Sequence, residues 1–423
     1  MKQRTLAIGD TGAEFVSDIN LNFSDVYATN NNTFYNVESY GAVHDGETDD
    51  TEAIQSAINA CIDGGGGTVY FPNGIYLIAG ALKNGVEIYD PYTEETKTVD
   101  YNSQLYIPAS WARTRNPVVK LLGESVSRFA VNNIGTILKS TIAGTGTFPS
   151  VICSRCWLHT YGYVNYSDAI MENITVQVNP FLDGDGISMC GINFLYASHP
   201  VLENVCVMPW TPEGMDVSDH IASVVQPVKH VFGIGMGIGG DDQGEINGQA
   251  SVYMGFYYGF VLGEGINANS VHSYYNYIGL TQTKSVWGSR ISQYLSHWST
   301  YDIASQQETI YLGAGKAPLQ IDHALIENWK IGRGPIWLDK EAYILDNNDY
   351  LYGYMDYCLG QGVSPFTKTQ GGTNFLIRDI YNGTNYYWTT DTRPSEPGVG
   401  CMGFNRTTSK LEVYNGTTWV DLH

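Results

Sequence analysis

The hydrophobic pattern near the N-terminus predicts a short helix over residues 50–62. Apolar residues recur three, four, seven and eight positions after Ile54, as far as Ile62, which marks one face of an α-helix. Asp49 precedes Glu52 by three residues, the spacing of a capping box with aspartate as the cap. Negative side chains there also complement the positive end of the helix. The acidic cluster is therefore expected to cap the helix rather than to perform catalysis.

After the helix the pattern changes to short strands. The glycines at 64–67 end the helix, and strands are predicted at 68–71 and 75–78 around a Pro-Asn-Gly turn. Between about residues 100 and 360, short β-rich runs alternate with Gly, Asn, Asp and Ser. Several runs are continuously apolar, as expected where both faces of a strand are covered. The pattern predicts a stack of coils of roughly 20–30 residues each, about ten in all.

The C-terminal part is predicted to form a separate small unit. Residues 361–374 have the composition of a linker. Beyond the linker, Asn382–Gly383 and Asn415–Gly416 each stand between two strand-like runs, which predicts two hairpins. Fewer than fifty residues bury little apolar surface alone. Three copies wound together would bury enough.

Composition and charge support an all-β protein and exclude several kinds of partner. Hydrophobic residues make up 43% of the 423 residues, charged residues only 15%, and there are 47 glycines. The net charge of −21 and the lack of a Lys/Arg cluster exclude nucleic acid and an anionic membrane surface as partners. No apolar run approaches the ~20 residues of a membrane span, so no membrane insertion is expected.

The cysteines suggest neither a disulfide framework nor a metal site. There are seven, without a pattern. Cys153 and Cys156 form a single CxxC with His159 nearby, and a zinc site would require a second pair. Buried thiols are the preferred interpretation, and we predict no metal and no cofactor. The N-terminus shows no apolar signal-peptide core, so synthesis in a cytoplasm without a signal peptide is expected.

Residues 38–78 resemble the opening segment of the pectate-lyase-like superfamily. The resemblance rests on the order YGAVHDGETDDT, amphipathic helix, GGGGTVYFPNGIYLI. In that superfamily a short helix caps the start of a right-handed parallel β-helix. The resemblance therefore implies an all-β fold, namely a right-handed parallel β-helix capped by a short N-terminal helix, with a small β-rich C-terminal module.

Both ends of the chain resemble bacteriophage tailspike proteins. Residues 1–35, with Gly9–Asp10–Thr11–Gly12 and an Asn-rich stretch, are similar to attachment segments of such spikes. The last residues, from Pro394 onward, are similar to a terminal module of phage tail fibres and spikes. The resemblance implies a homotrimer in the phage virion, joined to a tail or baseplate protein through its N-terminal segment. It also implies three regions: 1–35 for attachment, 36–365 for the β-helix, and 366–423 for a linker and a trimerisation or tip module.

The candidate catalytic residues are carboxylates in and near the Gly-rich segment 233–249. Neighbouring strand residues point to opposite faces, so Asp241 and Asp242 cannot form the pair together on a regular strand. A pair would need one of them with Glu245, or a partner from an adjacent coil. Asp216 lies 25 residues before Asp241, and Asp302 and Glu327 are also 25 apart, as stacked coils would require. A repelled carboxylate in such a stack would have a raised pKa and could act as an acid. The candidates are Asp216, Asp241, Asp242, Glu245, Asp302 and Glu327.

Aromatic residues in the middle of the chain are candidates for glycan binding, because sugar rings stack on flat apolar faces. Alternatively, tyrosines there simply fill strands and contacts between copies. His220, His272, His297 and His323 are individually expected to be surface or satisfied core residues. The glycan-binding candidates are Trp210, Tyr257, Tyr274 and Trp298.

Three functions are compatible with these observations. The favoured one is a phage tailspike that binds a bacterial cell-surface polysaccharide and hydrolyses it with two carboxylates, whose separation would distinguish retention from inversion. A polysaccharide lyase would instead need a His or Tyr base and a neutralising cation. A receptor-binding or structural spike without activity is the third, since fold does not fix function. The acidic charge favours a neutral or weakly acidic glycan.

Overall fold

The computed structural model describes most of the solenoid and the C-terminal module. The described residues are 33–90, 95–108, 118–127, 134–144, 149–155, 157–158, 164–165, 168–179, 189–197, 199–211, 233–239, 244–263, 265–276, 278–282, 289–297, 299, 301–304, 318–327, 336–338, 352–355, 358–361, 366–369, 375–377, 380–382, 387–393 and 402–422. The predicted attachment segment 1–35 lies almost wholly outside them.

The first third of the chain contains one α-helix and a series of short strands. The helix α1 spans Thr51–Asp63, and a 3-10 turn spans Val37–Tyr40. The strands are β1 (Phe34–Asn36), β2 (Asp45–Asp49), β3 (Gly67–Phe71), β4 (Gly74–Ile78), β5 (Val86–Asp90), β6 (Glu95–Val99), β7 (Ser103–Ile107), β8 (Val118–Gly123), β9 (Thr136–Ser140), β10 (Ser150–Arg155), β11 (Trp157–Leu158) and β12 (Val164–Asn165).

The middle of the chain has longer strands. They are β13 (Asp168–Glu172), β14 (Thr175–Val178), β15 (Cys190–Tyr196), β16 (Val201–Pro209), β17 (Ile234–Ile238), β18 (Gly244–Tyr253), β19 (Tyr258–Leu262), β20 (Ile266–Tyr274), β21 (Ile278–Gln282), β22 (Ser289–His297), β23 (Tyr301–Ala304) and β24 (Pro318–Glu327).

The last part returns to short strands, with a second 3-10 turn at Thr390–Thr392. They are β25 (Ile336–Leu338), β26 (Tyr352–Met355), β27 (Cys358–Gln361), β28 (Phe366–Thr369), β29 (Phe375–Ile377), β30 (Ile380–Asn382), β31 (Tyr387–Trp388), β32 (Met402–Asn405), β33 (Lys410–Tyr414) and β34 (Trp419–Leu422).

The strands stack as the coils of a parallel β-helix, which confirms the predicted fold class. A 17-stranded sheet and a 9-stranded sheet hold nearly all of them, and their ladders are parallel. In the 9-stranded sheet, for example, Ile192 pairs with Met236, which is in line with Phe260 and then Leu280. Each strand thus pairs with its counterpart in the next coil, and connections within a coil do not form hairpins.

The long sheet consists of two arms that meet at a bend. Its first arm comprises β1, β3, β8, β13, β26, β29 and the N-terminal halves of β16, β18, β20, β22 and β24, and its second arm comprises β2, β4, β9, β14, β27, β30 and the C-terminal halves. Asn173, Asn204 and Gly248 occupy the bend in successive coils with φ of 56°, 50° and 67°. Asparagine and glycine tolerate this left-handed conformation, which bends the strand from one arm into the other.

Alternate side chains of both arms point into a continuous apolar core. Along the first arm, Val69, Leu121, Met171, Leu202 and Ile246 are each fully buried in it. Since strand side chains alternate, the residues between them face outward.

The helix caps the first coils as predicted, with its start one residue later than expected. Ile54, Ala57, Ile58 and Cys61 have no solvent exposure and join the same core. The helix ends at Gly64, whose N–H donates to the Ala60 carbonyl at 2.9 Å.

The expected capping box does not form, because each carboxylate has another partner. Asp49 accepts the N–H and hydroxyl of Thr51, whereas Glu52 pairs with Lys83 Nζ at 2.7 Å. Asp50, only 1% exposed, accepts the N–H groups of Val43 at 2.7 Å and His44 at 3.1 Å. The acidic cluster is structural, as expected, but it mainly ties the preceding turn to the helix.

Glycines bring the 9-stranded sheet close to the second arm. Gly191, Gly235 and Gly259 stand on successive strands, with their flanking residues in parallel register. A Cβ added at Gly191 or Gly235 would lie 2.3 Å from the Cγ1 of Val207 or Val252, both on the second arm. No side chain larger than hydrogen fits at these positions. The glycine backbone of the 9-stranded sheet therefore packs directly against side chains of the second arm.

One predicted hairpin is correct and the other is wrong. β33 and β34 form an antiparallel hairpin at Asn415–Gly416, with Val413 opposite Val420. By contrast, β30 does not fold back at Asn382–Gly383; it pairs in parallel with β27, while β29 pairs with β26. The coils therefore continue past the boundary placed at residue 365. A local turn motif does not reveal that a strand has a distant parallel partner.

The C-terminal module is a four-stranded sheet built around a buried ion pair. Glu412 on β33 is fully buried and accepts hydrogen bonds from Arg393, Nε at 2.9 Å, and from Asn405 Nδ2 at 2.9 Å. A second pair, Lys410 with Asp421 at 2.6 Å, is largely exposed.

Candidate functional site

The predicted catalytic carboxylates do not form one site in the described residues. Asp216, Asp241 and Asp242 lie outside them. Asp302 lies on β23 in the 9-stranded sheet, and Glu327 lies on β24 in the long sheet, so their spacing of 25 does not represent a stacked pair. The backbone of Glu327 is in register with His297 of the preceding coil.

Glu245 is the candidate carboxylate whose side chain is described. It is exposed on the first arm of β18 and accepts a hydrogen bond from Asn247 Nδ2 at 3.0 Å. Its in-register neighbours are Val201 and Asn267, so no second carboxylate faces it directly across these two strands.

The predicted aromatic residues are separated as well. Trp298 lies outside the described residues. The Trp210 indole donates to the Ser140 carbonyl at 2.8 Å, and Lys139 Nζ lies 5.0 Å from its ring centroid. Tyr257 packs edge-on against Tyr258, at 4.7 Å between ring centroids. Trp210 therefore covers β9, whereas Tyr257 belongs to the 9-stranded sheet.

The outer face of the second arm is covered in the early coils and opens at β18. At β14, Ser127 exchanges two hydrogen bonds with the Thr175 side chain, at 2.9 and 2.6 Å. From β18 onward, most of the outward side chains are half-buried or exposed, although Ser251 stays buried. We call this surface the open face. It consists of Gln249, Ser251 and Tyr253 on β18, Ser270, His272 and Tyr274 on β20, and Gln293, Leu295 and His297 on β22.

His272 is the centre of a hydrogen-bond network on the open face. Its Nε2 lies 2.9 Å from Ser270 Oγ. Its Nδ1 lies 3.0 Å from Gln249 Nε2 and 3.2 Å from the Tyr274 hydroxyl. Because an amide nitrogen only donates, Nδ1 must accept, and the proton of a neutral ring is then on Nε2. The network thus joins an imidazole acceptor to a phenolic donor, a combination suited to proton transfer.

Three rings stack along the solenoid axis beside this network. Tyr274 is parallel to Tyr253, 4.4 Å between centroids, and to His297, 5.1 Å between centroids. Both faces of the Tyr274 ring are therefore occupied. Tyr274 cannot stack on a sugar as the sequence suggested, and it presents its edge and hydroxyl instead.

Tyr253 keeps its proton. Burial, with a smaller effect from neighbouring Cys206 and Tyr274, raises the pKa of Tyr253 well above its usual value. A phenol with such a pKa keeps its proton throughout the neutral range. Tyr253 therefore supports the stack, while Tyr274 is the hydroxyl in contact with imidazole.

A carboxylate pair that the sequence analysis missed lies on the first arm. Glu172 and Glu203 are in register on β13 and β16, and Glu172 pairs with Lys120 of β8. The sequence contained a signal for this pair, since each glutamate directly precedes an asparagine at the bend, Asn173 or Asn204. The repeated Glu-Asn dipeptide marks equivalent positions in successive coils.

The described residues provide no metal centre. Within these ranges, no group of three or more His, Cys, Asp or Glu side chains is arranged to hold an ion. Cys61, Cys153, Cys190 and Cys206 are buried thiols, and burial raises the pKa of Cys190 to about 12. No helix in the described part of the chain is long and apolar enough to cross a bilayer.

Comparison with known sequences finds short matches to larger proteins. Alginate lyase 7 of Azotobacter vinelandii is 59% identical over 46 residues, 11% of this chain and 5% of that protein. Mannuronan C5-epimerase AlgE2 of the same organism is 36% identical over 112 residues, 24% of this chain and 10% of that protein. Plasmin and fibronectin-binding protein A of Streptococcus pneumoniae is 57% identical over 47 residues, 11% of this chain and 6% of that protein. The chain thus matches a tenth or less of the length of these relatives.

Solved structures with a similar coil architecture have low sequence identity. The A-module of the A. vinelandii mannuronan C-5 epimerase AlgE4 gives a TM-score of 0.40 at 16% identity, covering 82% of this chain and 95% of that one. ORF18 of Geobacillus virus E2 gives a TM-score of 0.39 at 13% identity, covering 99% of this chain and 90% of that one. Residues 34–101, which hold the helix cap and the first coils, match the family described as Rhamnogalacturonase A/epimerase, pectate lyase-like.

Proposed function

We propose that this protein binds a bacterial surface polysaccharide along the open face and cleaves it by proton transfer at His272 and Tyr274. The observation that supports the proposal is the 3.2 Å contact between His272 Nδ1 and the Tyr274 hydroxyl, two half-buried side chains on the outer face of β20. The names of the partial relatives, an alginate lyase and mannuronan epimerases, agree with a polysaccharide as substrate.

The proposed reaction is a β-elimination at a uronate unit. His272 Nδ1 gives up its hydrogen bonds to the Gln249 amide and the Tyr274 hydroxyl and removes the proton from the carbon beside the sugar carboxylate. The electron pair that remains forms a carbon–carbon double bond. The bond to the departing glycosidic oxygen breaks, and Tyr274 protonates that oxygen. Such acid–base groups typically contribute a factor of about 10² to 10⁴ in rate. The strongly acidic chain favours a glycan with few uronates rather than a polyanion.

The test is incubation with uronate-containing capsular polysaccharides. Chain length is followed by size-exclusion chromatography and the new double bond by its near-ultraviolet absorbance. His272→Gln and Tyr274→Phe should each lower the rate about 100-fold or more. Tyr70→Phe is the matched control, because Tyr70 lies on the outer face of β3, far along the ladder from β20, and its rate should not change.

Other outcomes would contradict this reaction. Shortening without a new double bond means hydrolysis, and the candidate carboxylates Asp216, Asp241, Asp242, Glu245, Asp302 and Glu327, together with Glu172 and Glu203, should then be replaced in turn. Retained binding without shortening means a receptor-binding protein without activity.

The proposal places the protein in a phage virion as a homotrimeric tailspike. Its support is the resemblance of residues 1–35 and of the C-terminal module to tailspike segments. In this arrangement, the N-terminal segment joins a tail or baseplate protein, and the solenoid meets the host polysaccharide. Sedimentation equilibrium of the intact chain tests the trimer directly.

A further inference from the structure

We infer that Gln249 is a positioning residue that fixes the tautomer and lowers the proton affinity of His272. The inference rests on the proposed function of the same site. Gln249 Nε2 donates to His272 Nδ1 from the preceding coil, at 3.0 Å. An N–H aimed at Nδ1 stabilises the ring only while that nitrogen is unprotonated, because a protonated Nδ1 would bring two donors face to face.

The other side of the imidazole is held in the matching state. Nε2 carries the proton and donates to Ser270 Oγ at 2.9 Å. Both ring nitrogens are thus committed, and rotation of the ring by half a turn would break both bonds. This second contact is the usual way in which a protein selects one histidine tautomer.

Gln249 reaches His272 because of the bend in β18. Gly248 adopts φ of 67°, and a Cβ there would lie 2.6 Å from Asn204 Oδ1 of the preceding coil. The register between β18 and β20 shifts between Ile246 and Gln249 at this bulge. The bulge therefore re-aims the glutamine toward the next coil, a common role of bulges beside functional sites.

The Gln249 amide is itself oriented by a second acceptor. Its Nε2 also donates to Ser251 Oγ at 2.9 Å, which directs the amide nitrogen, rather than the oxygen, toward the imidazole. The backbone nitrogen of Gln249 lies 3.4 Å from Asn204 Oδ1.

Other titratable and charged groups near His272 come from four strands. Tyr274 is in contact with it, and Tyr253 of β18 and His297 of β22 belong to the ring stack beside it. Glu245 and the Arg290–Asp322 pair lie on the first arm of the same sheet. Gln249 thus contacts His272 through an uncharged amide, and the single substitution Gln249→Glu would place a charged carboxylate there.

The experiment measures the imidazole directly. In protein with ¹⁵N-labelled histidine, the His272 signals are assigned with His272→Gln, and their pH titration gives both pKa and tautomer. Gln249→Glu should raise the His272 pKa by about 1 unit or more and move the proton of the neutral ring to Nδ1, because a carboxylate accepts and favours the charged ring. Gln249→Leu should leave a mixture of tautomers.

Gln293→Glu is the matched control. Gln293 lies on β22 in register with Ser270, on the same face, so it adds the same charge two coils away from Gln249, on the other side of the His272 strand. It should shift the His272 pKa by less than half as much and leave the tautomer unchanged. If Gln249→Glu titrates like the wild type, or no differently from Gln293→Glu, the inference is wrong.

The titration also separates the inference from the proposed function. If wild-type protein cleaves no glycan but Gln249→Glu shifts the titration as described, the positioning role stands and the reaction does not. If cleavage is found, the acidic limb of its pH profile should move upward with the His272 pKa in Gln249→Glu. A limb that stays in place while the imidazole pKa moves would overturn the role of Gln249 in the reaction.

Discussion

Two carboxylates near the helix cap illustrate how burial sets the free energy that the same kind of hydrogen bond contributes to folding. Asp50 and Asp45 each accept two backbone N–H groups, Asp50 from Val43 and His44, and Asp45 from residues 47 and 48. Asp50 is 1% exposed, whereas Asp45 is on the surface. Water can replace the lost partner only at the exposed site.

We therefore expect Asp50→Ala to destabilise the protein by about 1–3 kcal/mol, because the N–H groups of Val43 and His44 lose a buried acceptor. Asp45→Ala, the exposed counterpart with the same number of backbone bonds, should cost clearly less. Chemical unfolding of both variants measures the difference. Equal losses would mean that burial of the acceptor does not set the energy of these turns.

The two aspartates should also respond to pH with opposite sign. Burial raises the pKa of Asp50, so the folded state binds its proton more tightly, and its stabilising contribution falls as pH rises above about 3.9. Backbone hydrogen bonds from Thr48 and Glu47 lower the pKa of Asp45, whose contribution is lost as pH falls. Unfolding free energies from pH 3.5 to 6 should show wild type losing stability relative to Asp50→Asn with rising pH. A constant difference would contradict the assignment.

At the scale of elements, the C-terminal sheet depends on a charge that it buries. Glu412 has no exposure and pairs with Arg393, whose pKa that hydrogen bond raises. Lys410 and Asp421 on the neighbouring strands form the same kind of pair in solvent, with side chains 47% and 36% exposed. Removing one partner of a buried pair leaves an uncompensated charge, whereas an exposed pair contributes little.

Arg393→Leu should accordingly cost the C-terminal sheet about 3 kcal/mol. Lys410→Leu, the exposed control, should cost less than about 1 kcal/mol. Hydrogen exchange of the β33 amides reports the opening free energy of this sheet separately from the coils. Protection of β33 that survives Arg393→Leu would show that the buried pair does not hold the sheet.

Elements were predictable where their signal is local. The period of Ile54 to Cys61 and the following glycines specify α1, and Asn415–Gly416 specifies a hairpin. The pairing of β30 with β27 was not predictable, because an Asn-Gly dipeptide describes a turn and not the distant strand that competes for pairing.

At the scale of the molecule, coil length explains why the site was harder to predict than the fold. Asn267 is stacked on Arg290, but Arg290 is stacked on Gln320, so the number of residues per coil changes from one coil to the next. A constant spacing, which paired Asp302 with Glu327, cannot follow such changes. The hydrogen-bond network of His272 was not predictable for the same reason, since Gln249 reaches it from another coil through a bulge.

Net charge should govern which glycans the whole molecule accepts. With a charge of −21, a polyanionic glycan is repelled at long range, and salt screens that repulsion. Raising ionic strength from about 10 mM to about 150 mM should therefore strengthen binding of a polyanionic glycan several-fold. Binding of a neutral or sparsely charged glycan of equal length should change less than about twofold. Titration calorimetry at both ionic strengths measures this, and equal salt dependence would mean that net charge plays no part in selection.

The glycines at 191, 235 and 259 have a practical consequence for altering this protein. They lock the strands behind His272 against the opposite wall, and the differences in coil length are accommodated in the connections outside that wall. The glycan that the protein is proposed to bind could then be changed by exchanging the connecting loops, while His272 and Tyr274 stay on the same rigid strands. The same rigidity limits such redesign. Even one added methyl group at Gly235 would push the 9-stranded sheet away from Val252 on the second arm.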